Sequence, residues 1–166
     1  KKIKFSKSEI KQILKKVDKN LKSSIDLAFN RIKKFHLKQK LIPFKYKDKY
    51  KNELSYKFSP IEKVGVYVPG GTASYPSTVL MNCIPALVAG VKNIYLTTPA
   101  LGKSVNPAII YAAKKCRVKE IYKTGGAHSV AALAFGTKTF KKVDKIVGPG
   151  NAFVAAAKKE VFGEVG

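Results

Sequence analysis

Three glycine-containing turns are the residues of this chain best suited to chemistry: Pro69-Gly70-Gly71-Thr72, Thr124-Gly125-Gly126-Ala127 and Gly148-Pro149-Gly150-Asn151. Each follows a short β-branched or aromatic run and opens toward an alanine-rich helical stretch. In a parallel sheet all three fall on the carboxyl edge, where glycine lets backbone approach a ligand closely and helix N-termini offer free N–H groups to anions. None has the spacing of a dinucleotide GxGxxG or a Walker loop, so the turns point to a binding edge without naming a ligand. Catalytic groups are scarce. His36 and His128 are the only histidines, and neither has HExxH or Cys/His zinc spacing. His36, at the end of a helical stretch, reads as a surface or capping residue, whereas His128 follows a glycine turn and is a candidate ligand contact. Ser74, Ser77 and Ser129 lack a base and an orienting acid, and no acidic pair lies near a turn. Taken alone, these residues bind something and catalyse little.

The elements that must position these turns can be read from periodicity. Val64 to Val68, Asn93 to Thr97, Glu120 to Lys123 and Lys145 to Val147 read as strands, followed by helices over Ser77 to Ala89, Asn106 to Cys116, Ala127 to Phe135 and Asn151 to Phe162. This alternation predicts a parallel sheet covered by helices. Asn106-Pro107 forms an N-cap and first-turn pair. Ahead of these units, Ile10, Ile13, Leu14, Val17, Leu21, Ile25, Ala28, Phe29, Ile32 and Phe35 recur at steps of three and four, which predicts one long amphipathic helix. Ser6 and Glu9 have capping-box spacing and Phe5 and Ile10 form a hydrophobic staple, so it should begin near Lys7. Leu37 to Ser59 reads as a connector with one or two short strands. Ser59-Pro60 marks a boundary. The expected division is residues 1–60, a helical segment and connector, and residues 61–166, an α/β domain.

Composition narrows the classes. With 45% hydrophobic and 26% charged residues, the chain is a globular one. No apolar run approaches the roughly 20 residues a bilayer span needs, and the first residues lack signal-peptide character, so a cytoplasmic location is expected and no membrane role. The net charge of +23 suggests polyanion binding, but the lysines are spread over every polar position and Arg31 and Arg117 are the only arginines. A dedicated nucleic-acid function is therefore not expected. Cys83 and Cys116 lack metal or redox spacing and read as buried free thiols.

The turns and their flanks also carry a resemblance. Val64-Gly65-Val66-Tyr67-Val68-Pro69-Gly70-Gly71, Ser77-Thr78-Val79-Leu80-Met81, Gly125-Gly126-Ala127 with Ala131 to Thr137, and Lys142 to Asn151 resemble histidinol dehydrogenase, from about Ser59 to Gly166. Arg31 to His36 is similar to the family's less distinctive N-terminal helix. The resemblance implies an α/β, Rossmann-like parallel sheet with flanking helices, incomplete relative to the full family fold. It also implies an NAD- and zinc-dependent homodimer that oxidises L-histidinol through L-histidinal to L-histidine. Tyr67, His128 and Asn151 correspond to the family's nucleotide contacts. His128 stands where the family usually has Gln, and an imidazole cannot donate and accept as an amide does unless both nitrogens are used. The stretch Thr97 to Asn106 looks slightly longer than in relatives. The family's substrate-binding serine, zinc ligands and catalytic Glu-His pair correspond to nothing in these 166 residues, so no catalytic or metal residue is assigned. In the intact enzyme the helical segment is expected to pack against the remainder, leaving part of its apolar stripe unpaired here. Two alternatives stay open: a related dehydrogenase acting on another substrate, and a non-catalytic nucleotide- or polyanion-binding module.

Overall fold

The computed structural model describes residues 3–70, 75–100 and 105–166. Gly71, Thr72 and Ser74, and residues 101–104 of the stretch noted above as longer, lie outside the described residues. The N-terminal stripe forms two helices, α1 (Lys7–Lys15) and α2 (Lys19–Leu37), not the single long helix expected. Asp18 causes the break: its carboxylate accepts from the Leu21 N–H at 2.9 Å and starts a new helix. Val17 is turned inward at the joint, which is why the apolar spacing runs through it unbroken. The start of α1 is as expected, with Ser6 Oγ accepting from Glu9 N–H and Glu9 Oε2 accepting from Ser6 N–H.

A hairpin of β1 (Phe44–Lys47) and β2 (Glu53–Tyr56) occupies the connector, paired antiparallel from Phe44↔Tyr56 to Lys47↔Glu53. Asp48 ties its turn by accepting from the backbone N–H groups of Tyr50 and Asn52. Then follow β3 (Lys63–Tyr67), α3 (Pro76–Ala89), β4 (Asn93–Thr97), α4 (Pro107–Lys115), β5 (Glu120–Tyr122), α5 (Gly126–Phe135), β6 (Lys145–Val147) and α6 (Ala152–Glu160). The sheet is parallel in the order β5-β4-β3-β6.

Parallel strands bury both faces, and side-chain alternation sorts this chain's core into two. Val64, Val66, Val68, Ile94, Leu96 and Ile121 pack on one face against residues of α3 and α4. Tyr67, Tyr95, Tyr122 and Ile146 pack on the other against Val130 and Leu133 of α5 and Val154 of α6. Both outer edges are paired. Ile3 to Phe5 run antiparallel to β5, with Phe5 N–H donating to Ile121 O and Lys123 N–H to Ile3 O, and Gly166 exchanges hydrogen bonds with Asp144 and Ile146 beside β6. Cys83 and Cys116 are free and buried, as expected.

Most of the stripe of α1 and α2 is covered, and only Phe35 at its end is exposed. Ile25 and Phe29 are buried in the first core and Ile10, Ile13, Leu14, Leu21, Ala28 and Ile32 pack against it. Asp26 pins α2 to α4 by accepting from Tyr111 Oη at 3.1 Å and pairing with Lys115 Nζ at 2.9 Å. Exposed apolar side chains lie at the end of α2, where Phe35 and Leu37 face solvent, and along the hairpin, at Phe44, Tyr46, Leu54 and Tyr56. Periodicity shows which face of a helix is apolar but not which surface covers it.

Glu9 links α1 to the strand edge through Lys123 Nζ. That ammonium, and then the Ser6 N–H, hold the Glu9 carboxyl at about 2 against an ordinary 4.5. A depressed folded-state pKa stabilises fully above the ordinary value and loses its contribution as pH falls through the lowered one. Glu9→Gln should therefore destabilise at neutral pH, by no more than about 1 kcal/mol because the pair is exposed and screened. The gap between the two proteins should close between about pH 4.5 and pH 2. A gap of constant size across an acid-denaturation series would refute the linkage.

Candidate functional site

Strand order places the site. From β3 the chain moves outward through β4 to β5, then returns past β3 to β6. The crevice of an open α/β sheet lies at such a reversal, outside the carboxyl ends of the two strands that flank it, here β3 and β6. Tyr67 ends β3 and the Gly148 turn follows β6, so two of the three glycine turns meet the switch point.

Tyr67 is the joint between turns. Its side chain is buried among Tyr95, Tyr122 and residues of α5, and its Oη accepts from Gly126 N–H at 3.1 Å. This takes one of the orphan donors at the start of α5, whose N-cap Gly125 offers no side-chain cap. Among the described residues the phenol O–H has no acceptor, so its proton is free for a ligand oxygen. Gly148 has φ +112, and a Cβ there would fall onto the carbonyl oxygen of Tyr67. Only glycine lets the β6 turn lie directly against the end of β3. Pro99, following β4, fills the space beside Gly125, whose Cβ would overlap its ring, and it also borders Gly70.

The other two expected contacts stand apart from Tyr67. His128 is exposed on the first turn of α5. Asn151 is the N-cap of α6: its Oδ1 accepts from Val154 N–H at 3.1 Å, leaving the side-chain amide N–H groups without an acceptor among the described residues. No hydrogen bond joins Tyr67, His128 and Asn151 to one another. What the structure brings together is Tyr67 with Gly126 and Gly148, and Pro99 with Gly70 and Gly125. Ser129 is buried within α5 and its hydroxyl donates to Gly126 O, one turn back, at 2.8 Å. His36 shares a hydrogen bond with Gln39 at 2.7 Å near the end of α2, in keeping with the capping reading.

Two residues at this edge escape a sequence reading. Thr98, just past β4, is buried, and its Oγ1 finds no partner among the described residues. Lys158 on α6 sends its Nζ back to the carbonyl of Gly148 at 2.7 Å. Burial pushes that ammonium below the ordinary lysine range. Nothing marked Lys158 out among the other lysines, and Thr98 has no motif. The edge thus holds free donors from Tyr67 and Asn151, a set that fits a ligand rich in oxygen acceptors such as a dinucleotide. It does not fit a metal. Among the described residues no group of three His, Cys, Asp or Glu could hold one.

Sheet order, helices on both faces and glycine turns at the carboxyl edge define a doubly wound α/β protein whose strand order reverses between β3 and β6, the place where such folds bind ligands. The family model described as histidinol dehydrogenase matches residues 1–166, and the chain belongs to that family. It is 58% identical over 158 residues to a histidinol dehydrogenase of Pelagibacter ubique (strain HTCC1062), covering 95% of this chain and 37% of that protein. A second, from Mesorhizobium japonicum, is 49% identical over 164 residues, covering 99% of this chain and 38% of the relative. The crystal structure of histidinol dehydrogenase from Elizabethkingia anophelis superposes with a TM-score of 0.94 at 41% identity, over 98% of this chain and 38% of that one. The chain therefore spans under two-fifths of the length of the relatives it matches.

Proposed function

We propose that these residues form the NAD-side wall of a histidinol dehydrogenase. The whole protein oxidises L-histidinol through L-histidinal to L-histidine, with water supplying the second carboxylate oxygen. NAD, when bound, supplies the hydride acceptor at each of the two oxidations. The carrying observation is Tyr67, clamped to Gly126 with its O–H proton unspent, at the switch point of the sheet. This chain's part is placement: Tyr67 and Asn151 donate to ligand oxygens, His128 stands at the lip of α5, and the glycine turns let the backbone approach. Residues 61–166 are the NAD-binding unit, and residues 1–60 a first segment packed onto it. The zinc of the reaction would be held by residues elsewhere in the full-length protein. The same reading makes the protein a cytoplasmic homodimer whose small-molecule substrate is L-histidinol.

Titration of the full-length protein with NADH, followed by fluorescence, tests the assignment. Asn151→Asp separates capping from binding, because aspartate caps a helix as well as asparagine does but has no amide donor and brings a charge that repels phosphate. Affinity for NADH should fall about tenfold or more with the thermal midpoint nearly unchanged. His128→Gln, which installs the residue usual in the family, should retain binding. Unchanged affinity in Asn151→Asp would sink the nucleotide site.

A further inference from the structure

We infer that Lys158 is a positioning residue for the nucleotide, acting through the carbonyl of Gly148; the inference rests on the NAD reading of this edge. The geometry is specific. Lys158 lies near the end of α6, seven residues after the N-cap Asn151, and its side chain runs back along the helix to the turn that precedes that cap. The carbonyl it meets belongs to the glycine whose φ of +112 keeps the turn against Tyr67. Gly148 O is thereby held from one side by a charge-assisted hydrogen bond while its own Cα rests on the end of β3. Pro149 restricts the next φ, and Asn151 follows. The chain from Tyr67 through Gly148 to Asn151 is thus closed by Lys158 into one unit, with α6 as its fourth side.

A partly buried ammonium is costly unless it is used, and this one has a single recorded partner in Gly148 O. Its neighbours explain why it is there. Lys159, one residue on, is exposed and serves as an ordinary surface lysine, whereas Lys158 is half-buried at the crevice. Its positive charge also lies beside the turn after β6, where it would favour the phosphates of a dinucleotide bound at the switch point.

The test compares Lys158→Met and Lys158→Arg with Asn151→Asp in the full-length enzyme, reading NADH affinity, kcat, and KM for each substrate. Lys158→Met should weaken NADH binding and raise KM for NAD by about tenfold, leaving kcat and the histidinol KM within about twofold, since it removes binding shared by ground and transition states. Lys158→Arg, which keeps charge and donor, should recover most of that loss. If Lys158→Met does not fold, Lys158→Gln keeps the chain length and a donor without the charge and replaces it. The inference is overturned if the lysine variants bind NADH as the parent does while Asn151→Asp does not. Equal losses toward NAD and histidinol, or no recovery with arginine, overturn it too, because each marks a merely structural lysine. Should Asn151→Asp itself leave NADH affinity unchanged, the NAD reading fails first and this inference falls with it.

Discussion

Gly148→Ala is expected to destabilise this protein by at least about 3 kcal/mol, the largest loss of any single alanine substitution at the described glycines of its turns. Two terms add. At φ +112 a Cβ is strained in any surroundings, and here it would also overlap the carbonyl oxygen of Tyr67, which is backbone in the middle of a sheet and cannot rotate away. Gly163 separates the terms, since its φ is +97 but nothing lies within 4 Å of a Cβ built on it. Gly163→Ala should cost only about 1 kcal/mol. Urea denaturation reads both, as a shift in midpoint at constant slope. A Gly148→Ala protein that loses no more than Gly163→Ala would show that β6 is not locked against β3. The lock matters for the site, because the turn that Gly148 permits also carries Asn151.

Leu133→Ala should cost about 3 to 4 kcal/mol, and part of that loss should be recoverable from the strand it packs on. Leu133 is fully buried on α5 and lies over Gly65 in the middle of β3, where an added Cβ would meet Leu133 Cδ1 at 3.0 Å and Val143 Cγ2 at 3.2 Å. The absent side chain at Gly65 is the seat for the leucine. Gly65→Ala in the parent should therefore destabilise, by forcing Leu133 off its position. In the Leu133→Ala background the same methyl enters the cavity instead, so the two losses should fall short of additive by about 1 kcal/mol or more. Strict additivity would mean that the two residues do not share space. Because α5 begins at the Gly126 that Tyr67 holds, a loosened α5 should also weaken nucleotide binding.

Local signals were legible wherever a few neighbouring residues settle a conformation. Ser6 with Glu9 and Asn106 before Pro107 act as the caps their spacing implies, whereas Asn151, read as the first residue of a helix, is the N-cap of α6. The four β–α units appear in the order read from the chain, because alternation between β-branched runs and alanine-rich stretches is a property of short windows. The break at Asp18 was also encoded locally, as a capping aspartate three residues before Leu21, but a continuous apolar stripe masked it. The stripe's covering surface was not legible, since amphipathicity is the same whether α3, α4 or another partner buries it. The resemblance named Tyr67, His128 and Asn151, while Thr98 and Lys158 carried no signal: a threonine or lysine becomes informative only through what buries it.

By itself the sequence determined the elements, their caps, the family and the three turns that had to share one edge of a parallel sheet. Tertiary structure alone decided that the sheet runs β5-β4-β3-β6, that the reversal falls between Tyr67 and Gly148, and that Tyr67 reaches Gly126 across 59 positions of chain. The division has a physical cause. Caps, turns and periodicity are settled by interactions a few residues apart, whereas strand order and the spending of a buried hydroxyl or ammonium depend on which distant surfaces best exclude water and pair polar groups.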